Sequence, residues 1–136
     1  MSETRTDCIP GSQAKMLLME IADWEWVTTI VLHAGSVFEF KGPFPTGSEG
    51  HGFYNLQGEM PGFHGHLNLE LVSHIRFQDK PHRGRESYAF VFENADDEVI
   101  FKVFLGRDES GELIASQVRQ FSALQLQYQQ GAKHEQ

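Results

Sequence analysis

The hydrophobic pattern of the chain begins with a helical period and then changes to a strand pattern. Residues 12–23 carry apolar side chains at helical spacing, which predicts a short helix. Residues 27–31 are mostly β-branched, a composition enriched in strands. The Ala34-Gly35 pair favours a tight turn into a second strand over residues 36–41. The first third of the chain is therefore predicted to form a helix followed by an antiparallel hairpin.

Five more stretches have strand-like patterns, and Gly- and Pro-containing loops separate several of them. The predicted strands are residues 52–57, 66–72, 74–78, 88–93 and 99–105, and the predicted loops include 42–50, 58–62 and 79–86. These connections are too short for the helical crossovers that parallel strands need. The pattern therefore predicts an antiparallel meander of about seven strands.

The end of the chain returns to helical spacing. Its apolar stripe consists of Ile114, Val118, Phe121 and Leu124. Asp108 or Ser110 can cap the start of this helix, and Gly131 can end it. The predicted fold class is α+β, with a short N-terminal helix, the β-meander and a C-terminal helix. We expect a disordered leader over residues 1–11, a single domain over 12–130 and a flexible tail over 131–136.

Composition and charge narrow the class of protein. The chain has 136 residues, enough for one domain, and its 19 acidic against 11 basic residues give a net charge of −8. This charge disfavours binding to nucleic acid and to anionic membranes. No apolar run is long enough to span a bilayer, and the start of the chain has no signal core. The single cysteine, Cys8, excludes an internal disulfide, so we expect a soluble protein of a reducing compartment.

The aromatic composition is unusual, because eleven residues are Phe against two Trp and three Tyr. Phe has no hydrogen-bonding group, so it is normally buried in a core, an interface or an apolar pocket. Two interpretations therefore stay open, a Phe-rich sheet core and a pocket for a flat apolar ligand.

Histidines are the strongest chemical signal, because no nucleophile motif or phosphate-binding glycine loop is present. His64 and His66 flank Gly65, and in an extended chain this spacing puts both imidazoles on one face. They could be an exposed polar pair, or they could bind a metal or a heme iron. A closed zinc site needs three or four ligands, whereas heme iron needs only one axial ligand from the protein.

Several motifs resemble the cytosolic heme-utilisation carriers of the ChuX/HutX type. The resemblance runs in order from about residue 10 to residue 126, although no single motif is diagnostic. The matching segments are Trp26-Val-Thr-Thr-Ile-Val, Val37-Phe-Glu-Phe-Lys-Gly-Pro-Phe-Pro, His51-Gly-Phe-Tyr-Asn-Leu, Gly65-His66, His74-Ile75 and Phe101-Lys-Val-Phe-Leu-Gly-Arg-Asp.

The resemblance implies an antiparallel α+β homodimer in the cytoplasm that binds heme and delivers it to a heme-degrading partner. It gives His66 the role of axial ligand to the heme iron, because the Gly-His step matches. His64, His51, Tyr54 and Arg76 complete the predicted heme-binding set. Arg76 also belongs to a basic stretch with Lys80, Arg83 and Arg85 that could pair with heme propionates or form a solvated turn.

Two features depart from the family pattern. Family members commonly read Gly-Tyr-Phe-Asn where this chain has Phe53 and then Tyr54, so the family tyrosine, a candidate iron ligand, falls on a residue that cannot ligate. Tyr54 should point to the other face of the strand. The segment ahead of the sheet is also shorter than usual. These departures raise the alternative of a dimeric structural domain that no longer binds heme. A second alternative, by analogy with larger tandem-repeat relatives, is a heme-degrading enzyme, and a different tetrapyrrole ligand also remains open.

Overall fold

The computed structural model describes residues 7–58, 62–81 and 83–134. These residues form two α-helices, α1 (Ala14–Ile21) and α2 (Ala115–His134), and two 3-10 turns, Gly11–Gln13 and Leu69–Leu71. They also form nine strands: β1 Cys8–Pro10, β2 Trp26–His33, β3 Ser36–Pro43, β4 Gly47–Gly50, β5 Phe53–Leu56, β6 Gly65–Leu67, β7 His74–Asp79, β8 Tyr88–Glu93 and β9 Val99–Leu105.

The strands make two antiparallel sheets. The large sheet has the order β1-β7-β8-β9-β2-β3, and the small sheet has the order β4-β5-β6. The predicted α+β class with an antiparallel sheet and two helices is confirmed. The described residues contain nine strands, whereas about seven in one meander were predicted. The prediction missed β1 and β4.

Strand β1 occupies part of the segment that was expected to be a disordered leader. Ile9 pairs with Ile75 of β7, and the side chains of Cys8 and Ile9 are buried. A strand of three residues is too short to show a hydrophobic alternation in the sequence. Residues 8–10 form a strand because they pair with the distant β7. Residues 1–6 of the expected leader lie outside the described residues.

Strand β4 lies in the segment that was predicted to be a loop. Glycine is required at position 47 because the backbone of β4 lies close to the Tyr54 ring. A Cβ atom added at Gly47 would be only 2.6 Å from Cζ of Tyr54. His51 and Gly52 then join β4 to β5 with φ values of 55° and 82°. Two successive positive φ values match the right-handed twist of a two-residue hairpin.

The strand predicted over residues 66–72 ends at Leu67, so this prediction is wrong beyond that residue. The side-chain oxygen of Asn68 accepts a hydrogen bond from the Glu70 backbone N–H at 3.2 Å and starts the turn Leu69–Leu71. Asn side chains stabilise such local turns in competition with strands. Strand β7 then begins at His74.

The hydrophobic core lies on one face of the large sheet. The Phe121 ring of α2 packs against Phe77, Phe90 and Tyr88, with ring centroids 5.4, 4.9 and 5.3 Å apart. Helix α1 buries its predicted stripe, Ala14, Leu17, Leu18 and Ile21. Neither of the two helices in the described residues is long and apolar enough to cross a membrane.

Helix α2 begins at Ala115, later than either predicted cap. The Asp108 carboxylate instead closes a preceding turn by accepting from the backbone N–H groups of Ser110 and Glu112. The helix also continues past Gly131, the predicted end, to His134. Its position on the sheet is fixed by the buried Gln117.

The other face of the large sheet is left open by the helices. Alternation places Trp26, Ile30 and Leu32 of β2 on this open face, and Val37 of β3 lies opposite Leu32. Trp26, Leu32 and Val37 are 47%, 41% and 57% exposed. An apolar surface therefore remains on the side opposite the helices.

Candidate functional site

The small sheet positions His66 as an exposed side chain. Strand β6 pairs with β5 so that His66 lies directly opposite Asn55. The preceding Phe63 anchors the approach to β6, because its ring stacks on Phe40 at 4.5 Å and meets the Phe44 ring edge-on at 5.7 Å. The backbone leading to His66 is therefore held by the core, while the imidazole faces outward.

Asn55 fixes the tautomer of His66. The side-chain amide nitrogen of Asn55 donates to the carbonyl oxygens of Ser48 and Gly50, each at 3.2 Å. Its side-chain oxygen therefore faces Nδ1 of His66, 2.7 Å away. Because that oxygen can only accept, Nδ1 carries the proton, and in the neutral imidazole the lone pair is then on Nε2. This arrangement, in which a second residue orients a ligating histidine, is typical of metal sites.

Phe53 supplies an apolar wall beside this imidazole. Its ring lies 6.0 Å from the His66 ring in an edge-on arrangement and is 42% exposed. Phe53 also lines a cavity of about 640 Å³ between the small sheet and the start of α1. An ion pair between Lys15 and Glu49 lies at the same cavity. The site thus combines one ligand atom with a neighbouring apolar surface.

Tyr54 points to the opposite face of β5, as the alternation predicts. It is only 2% exposed, and its hydroxyl has no hydrogen-bond partner in the described structure. Burial raises the pKa of this phenol, and the nearby Lys15 partly opposes the shift. A neutral phenol turned toward the core is not placed to act with His66.

The other histidines, including the predicted His64 and His51, lie at separate positions. His64 is exposed in the loop between Phe63 and β6, and His51 occupies the β4–β5 turn. His33 ends β2 and is exposed, whereas His74 is buried at the start of β7. His82 lies outside the described residues. Among the histidine side chains that the structure describes, His66 is the one that Asn55 orients.

The structure places Arg76 in the large sheet instead of beside His66. Its guanidinium donates to Oε2 of Glu93 at 3.2 Å. Arg76 lies in β7 and Glu93 ends β8, so the two side chains meet only in the folded sheet. The basic stretch in the sequence therefore did not indicate this ion pair. Arg76 is therefore already held by a carboxylate partner.

Two other members of the basic stretch line a groove on the open face. Arg83 and Arg85 meet Lys41 and Arg107 around a cavity of about 730 Å³ whose floor includes Trp26. Sequence reasoning missed Lys41 and Arg107 because Lys41 belongs to β3 and Arg107 follows β9, both distant in sequence from the basic stretch. It also missed Asn55, which lies opposite His66 only when β5 and β6 are paired.

Comparisons with known proteins agree with the resemblance seen in the sequence. A sequence model of the family described as "Haem utilisation ChuX/HutX" matches residues 8–124. The intracellular heme transport protein HutX from Vibrio cholerae is 46% identical over 130 residues, which cover 96% of this chain and 67% of that protein.

Solved structures show the same similarity. A protein from Erwinia carotovora is 36% identical with a TM-score of 0.84, over 90% of this chain and 76% of that chain. The structure of the heme-binding protein ChuX is 30% identical with a TM-score of 0.80, over 89% of this chain and 76% of that chain.

Proposed function

The chain belongs to the ChuX/HutX heme-utilisation family, and from this membership we propose that it binds heme as cargo and carries it inside the cell. The 46% identical relative named as a heme transport protein supports this function. The observation that carries the proposal is His66, whose Nδ1 is held by Asn55 at 2.7 Å. In the neutral imidazole this contact leaves Nε2 as the nitrogen that can ligate, beside the apolar Phe53 ring.

The chemistry of heme matches these three side chains. Ferric heme iron accepts a neutral imidazole nitrogen as an axial ligand, and the macrocycle needs apolar contacts. His66 supplies the nitrogen and Phe53 supplies apolar contact, while Asn55 holds the imidazole in its ligating tautomer. His64, two residues away and also exposed, is a reserve ligand.

A hemin titration followed by absorbance tests this assignment. We expect His66→Ala to weaken hemin binding and shift the Soret band, and added imidazole to restore the wild-type spectrum. His64→Ala in the same chain should weaken binding further. Asn55→Ala should weaken binding about 10- to 100-fold, the usual effect of removing an orienting partner. Ser48→Ala is the matched control, because the Ser48 hydroxyl contacts Gln57.

The assignment fails if the double variant lacking His64 and His66 binds hemin with an unchanged spectrum and affinity. His51, His33 and His74 would then be tested as ligands. If the wild-type protein itself does not take up hemin, the chain is a structural domain and not a carrier.

Transport without degradation is the second part of the proposal. No catalytic motif is present in the sequence, and the 46% identical relative is named as a transport protein. Hemin-loaded protein with ascorbate in air should keep its porphyrin absorbance. Loss of that absorbance with release of iron would identify a heme-degrading enzyme. A carrier would instead hand its heme to a separate heme-degrading enzyme.

The open face of the large sheet supports a homodimer as the working form. Trp26, Leu32 and Val37 expose apolar surface on the face that the helices leave uncovered. A second copy of the chain that packs sheet to sheet would remove this surface from water. Four cations around the groove of the same face, Lys41, Arg83, Arg85 and Arg107, would then lie near the interface.

Adjacent residues of β3 give a matched test of this dimer. Val37 is on the open face, whereas Phe38 alternates to the other face, and both are more than half exposed. Val37→Glu should convert the dimer to a monomer in light scattering at micromolar concentration, and Phe38→Glu should leave it dimeric. A monomeric wild-type protein, or equal effects of both changes, would contradict the proposed interface.

A further inference from the structure

Three ligand-type side chains converge at one edge of the open face. His74 starts β7, Glu93 ends β8, and Asp97 lies in the turn between β8 and β9. One ligand atom from each lies within 4.8 Å of the other two. The side chains of His74 and Glu93 are 7% and 6% exposed, and that of Asp97 is 57% exposed. Of the three ligand side chains, that of Asp97 is the most exposed to solvent.

One imidazole nitrogen lies close to two carboxylate oxygens in this cluster. Nε2 of His74 lies 2.8 Å from Oε1 of Glu93 and 3.2 Å from Oδ1 of Asp97. A single N–H points along one direction, so it cannot donate well to both oxygens. Zinc bonds of about 2.0–2.2 Å in a tetrahedral site separate neighbouring donor atoms by about 3.3 Å. The two separations from Nε2 lie close to that value, and the two carboxylate oxygens lie within 4.8 Å of each other.

We propose that His74, Glu93 and Asp97 bind one divalent transition-metal ion of the zinc type. An imidazole nitrogen with two carboxylate oxygens favours such an ion over magnesium or calcium, which prefer oxygen ligands alone. Three protein ligands leave a fourth position for water or a small anion. The site lies in the large sheet, so it is independent of the proposed heme ligand on the small sheet.

The backbone holds these ligands in place without help from an ion. His74 and Glu93 are directly paired across β7 and β8. The turn that carries Asp97 is closed by Asn94, whose side-chain oxygen accepts from the N–H groups of Asp96 and Glu98 at 2.9 Å. The Asp97 N–H also donates to the Asn94 carbonyl at 3.0 Å. Such preorganisation lowers the entropic cost of binding an ion.

Arg76 supports the ligand arrangement. It donates to Oε2 of Glu93 and so leaves Oε1 directed at His74. A ligating carboxylate is commonly hydrogen-bonded on its other oxygen. Lys102 of β9 also acts on Glu93 through its charge, so the two cations Arg76 and Lys102 oppose the charge of the carboxylates. The Arg76 contact thus orients Glu93, and binding of a dication rests on the arrangement of the three ligand atoms.

Zinc titration of chelator-treated protein tests the site, with calorimetry as the readout. Wild-type protein should bind one Zn²⁺ per chain at this cluster, and Asp97→Asn should lower the affinity at least about tenfold. Asn tolerates the left-handed backbone of residue 97, where φ is 62°, so this variant keeps the turn. His74→Gln is the second variant, and circular dichroism checks that both variants fold. The His64→Ala/His66→Ala variant is the control for binding at exposed histidines.

Cobalt substitution adds a spectroscopic readout of direct ligation. If the three side chains had only a structural role, their substitution would not change the Co²⁺ spectrum. Co²⁺ in the wild-type protein should give visible absorption bands that disappear in Asp97→Asn and persist in the His64/His66 control. The proposal is overturned if Asp97→Asn and His74→Gln bind Zn²⁺ as the wild type does. It is also overturned if zinc binding is lost only in the His64/His66 variant, or if the wild type binds no zinc.

Discussion

Gln117 offers the sharpest test of how the C-terminal helix is fixed to the sheet. Its side chain is 1% exposed and makes three hydrogen bonds to backbone groups. Its amide nitrogen donates to the carbonyls of Trp24 and Trp26 at 2.6 and 2.8 Å, and its oxygen accepts from the Gly106 N–H at 2.7 Å. Gln117→Met keeps the length of the side chain and removes all three bonds.

The expected loss of stability follows from these bonds. Each hydrogen bond contributes about 1 kcal/mol net, and a buried N–H left without a partner costs about 1–3 kcal/mol. The Gly106 N–H becomes such an orphan, so we expect Gln117→Met to lower the free energy of unfolding by about 4 kcal/mol. Domains of this size are stable by only about 5–15 kcal/mol, so the variant should be folded but marginal.

Urea denaturation followed by circular dichroism measures this loss. With a slope of about 2 kcal/mol per molar urea, the midpoint should fall by about 2 M. The matched control is Gln120→Met, an exposed glutamine of the same helix, which should change stability by less than about 0.5 kcal/mol. A loss below about 1 kcal/mol for Gln117→Met would show that its hydrogen bonds do not anchor the helix.

Three further changes probe the core and the heme site. Gly106→Ala should also destabilise the protein in urea, because a side chain there would collide with the Trp26 carbonyl; a wild-type midpoint would contradict this packing. Tyr54→Phe should leave the hemin Soret band and affinity nearly unchanged, since the phenol faces the core; a large spectral change would mean that it reaches the ligand. Burial raises the pKa of Tyr54 in the folded protein. The neutral phenol therefore contributes fully to the free energy of unfolding below pH 10, and this contribution is lost as the pH rises further. In urea denaturation series above pH 10, the free energy of unfolding should fall less steeply for Tyr54→Phe than for the wild type, and equal slopes would contradict this burial effect. Phe53→Tyr puts a phenol beside His66 and should shift the Soret band, and an unchanged spectrum would remove Phe53 from the heme wall.

The sequence predicted best those elements whose periodicity is local. Strands β8 and β9 have the predicted bounds, because their apolar residues fill one continuous core. Prediction from the sequence failed where a side-chain hydrogen bond or pairing with a distant strand determines the secondary structure. Asn68 ends β6 by capping a turn, and β1 exists only because β7 offers it an edge. Neither the Asn68 turn nor the pairing of β1 with β7 produces a periodic pattern of apolar residues in the sequence.

The candidate site was predicted in part, for similar reasons. His66 and the outward direction of its side chain could be inferred from spacing and from the family resemblance. Asn55, which sets the tautomer, could be found only once strands β5 and β6 were paired. The Arg76–Glu93 contact joins two strands of the large sheet, so Arg76 could not be separated from the heme site by sequence alone.

The order of strands in the large sheet bears on how the protein reaches its native state. Strands β7, β8 and β9 form a local meander, and β2 with β3 forms a local hairpin. These two units meet where β2 pairs with β9, from Val27 opposite Leu105 to Ile30 opposite Lys102, and the paired residues are separated by more than half of the chain. Closing so long a loop carries an entropic cost that local pairing avoids. We therefore expect the two units to form early and independently, and the docking of β2 onto β9 to limit the rate of folding.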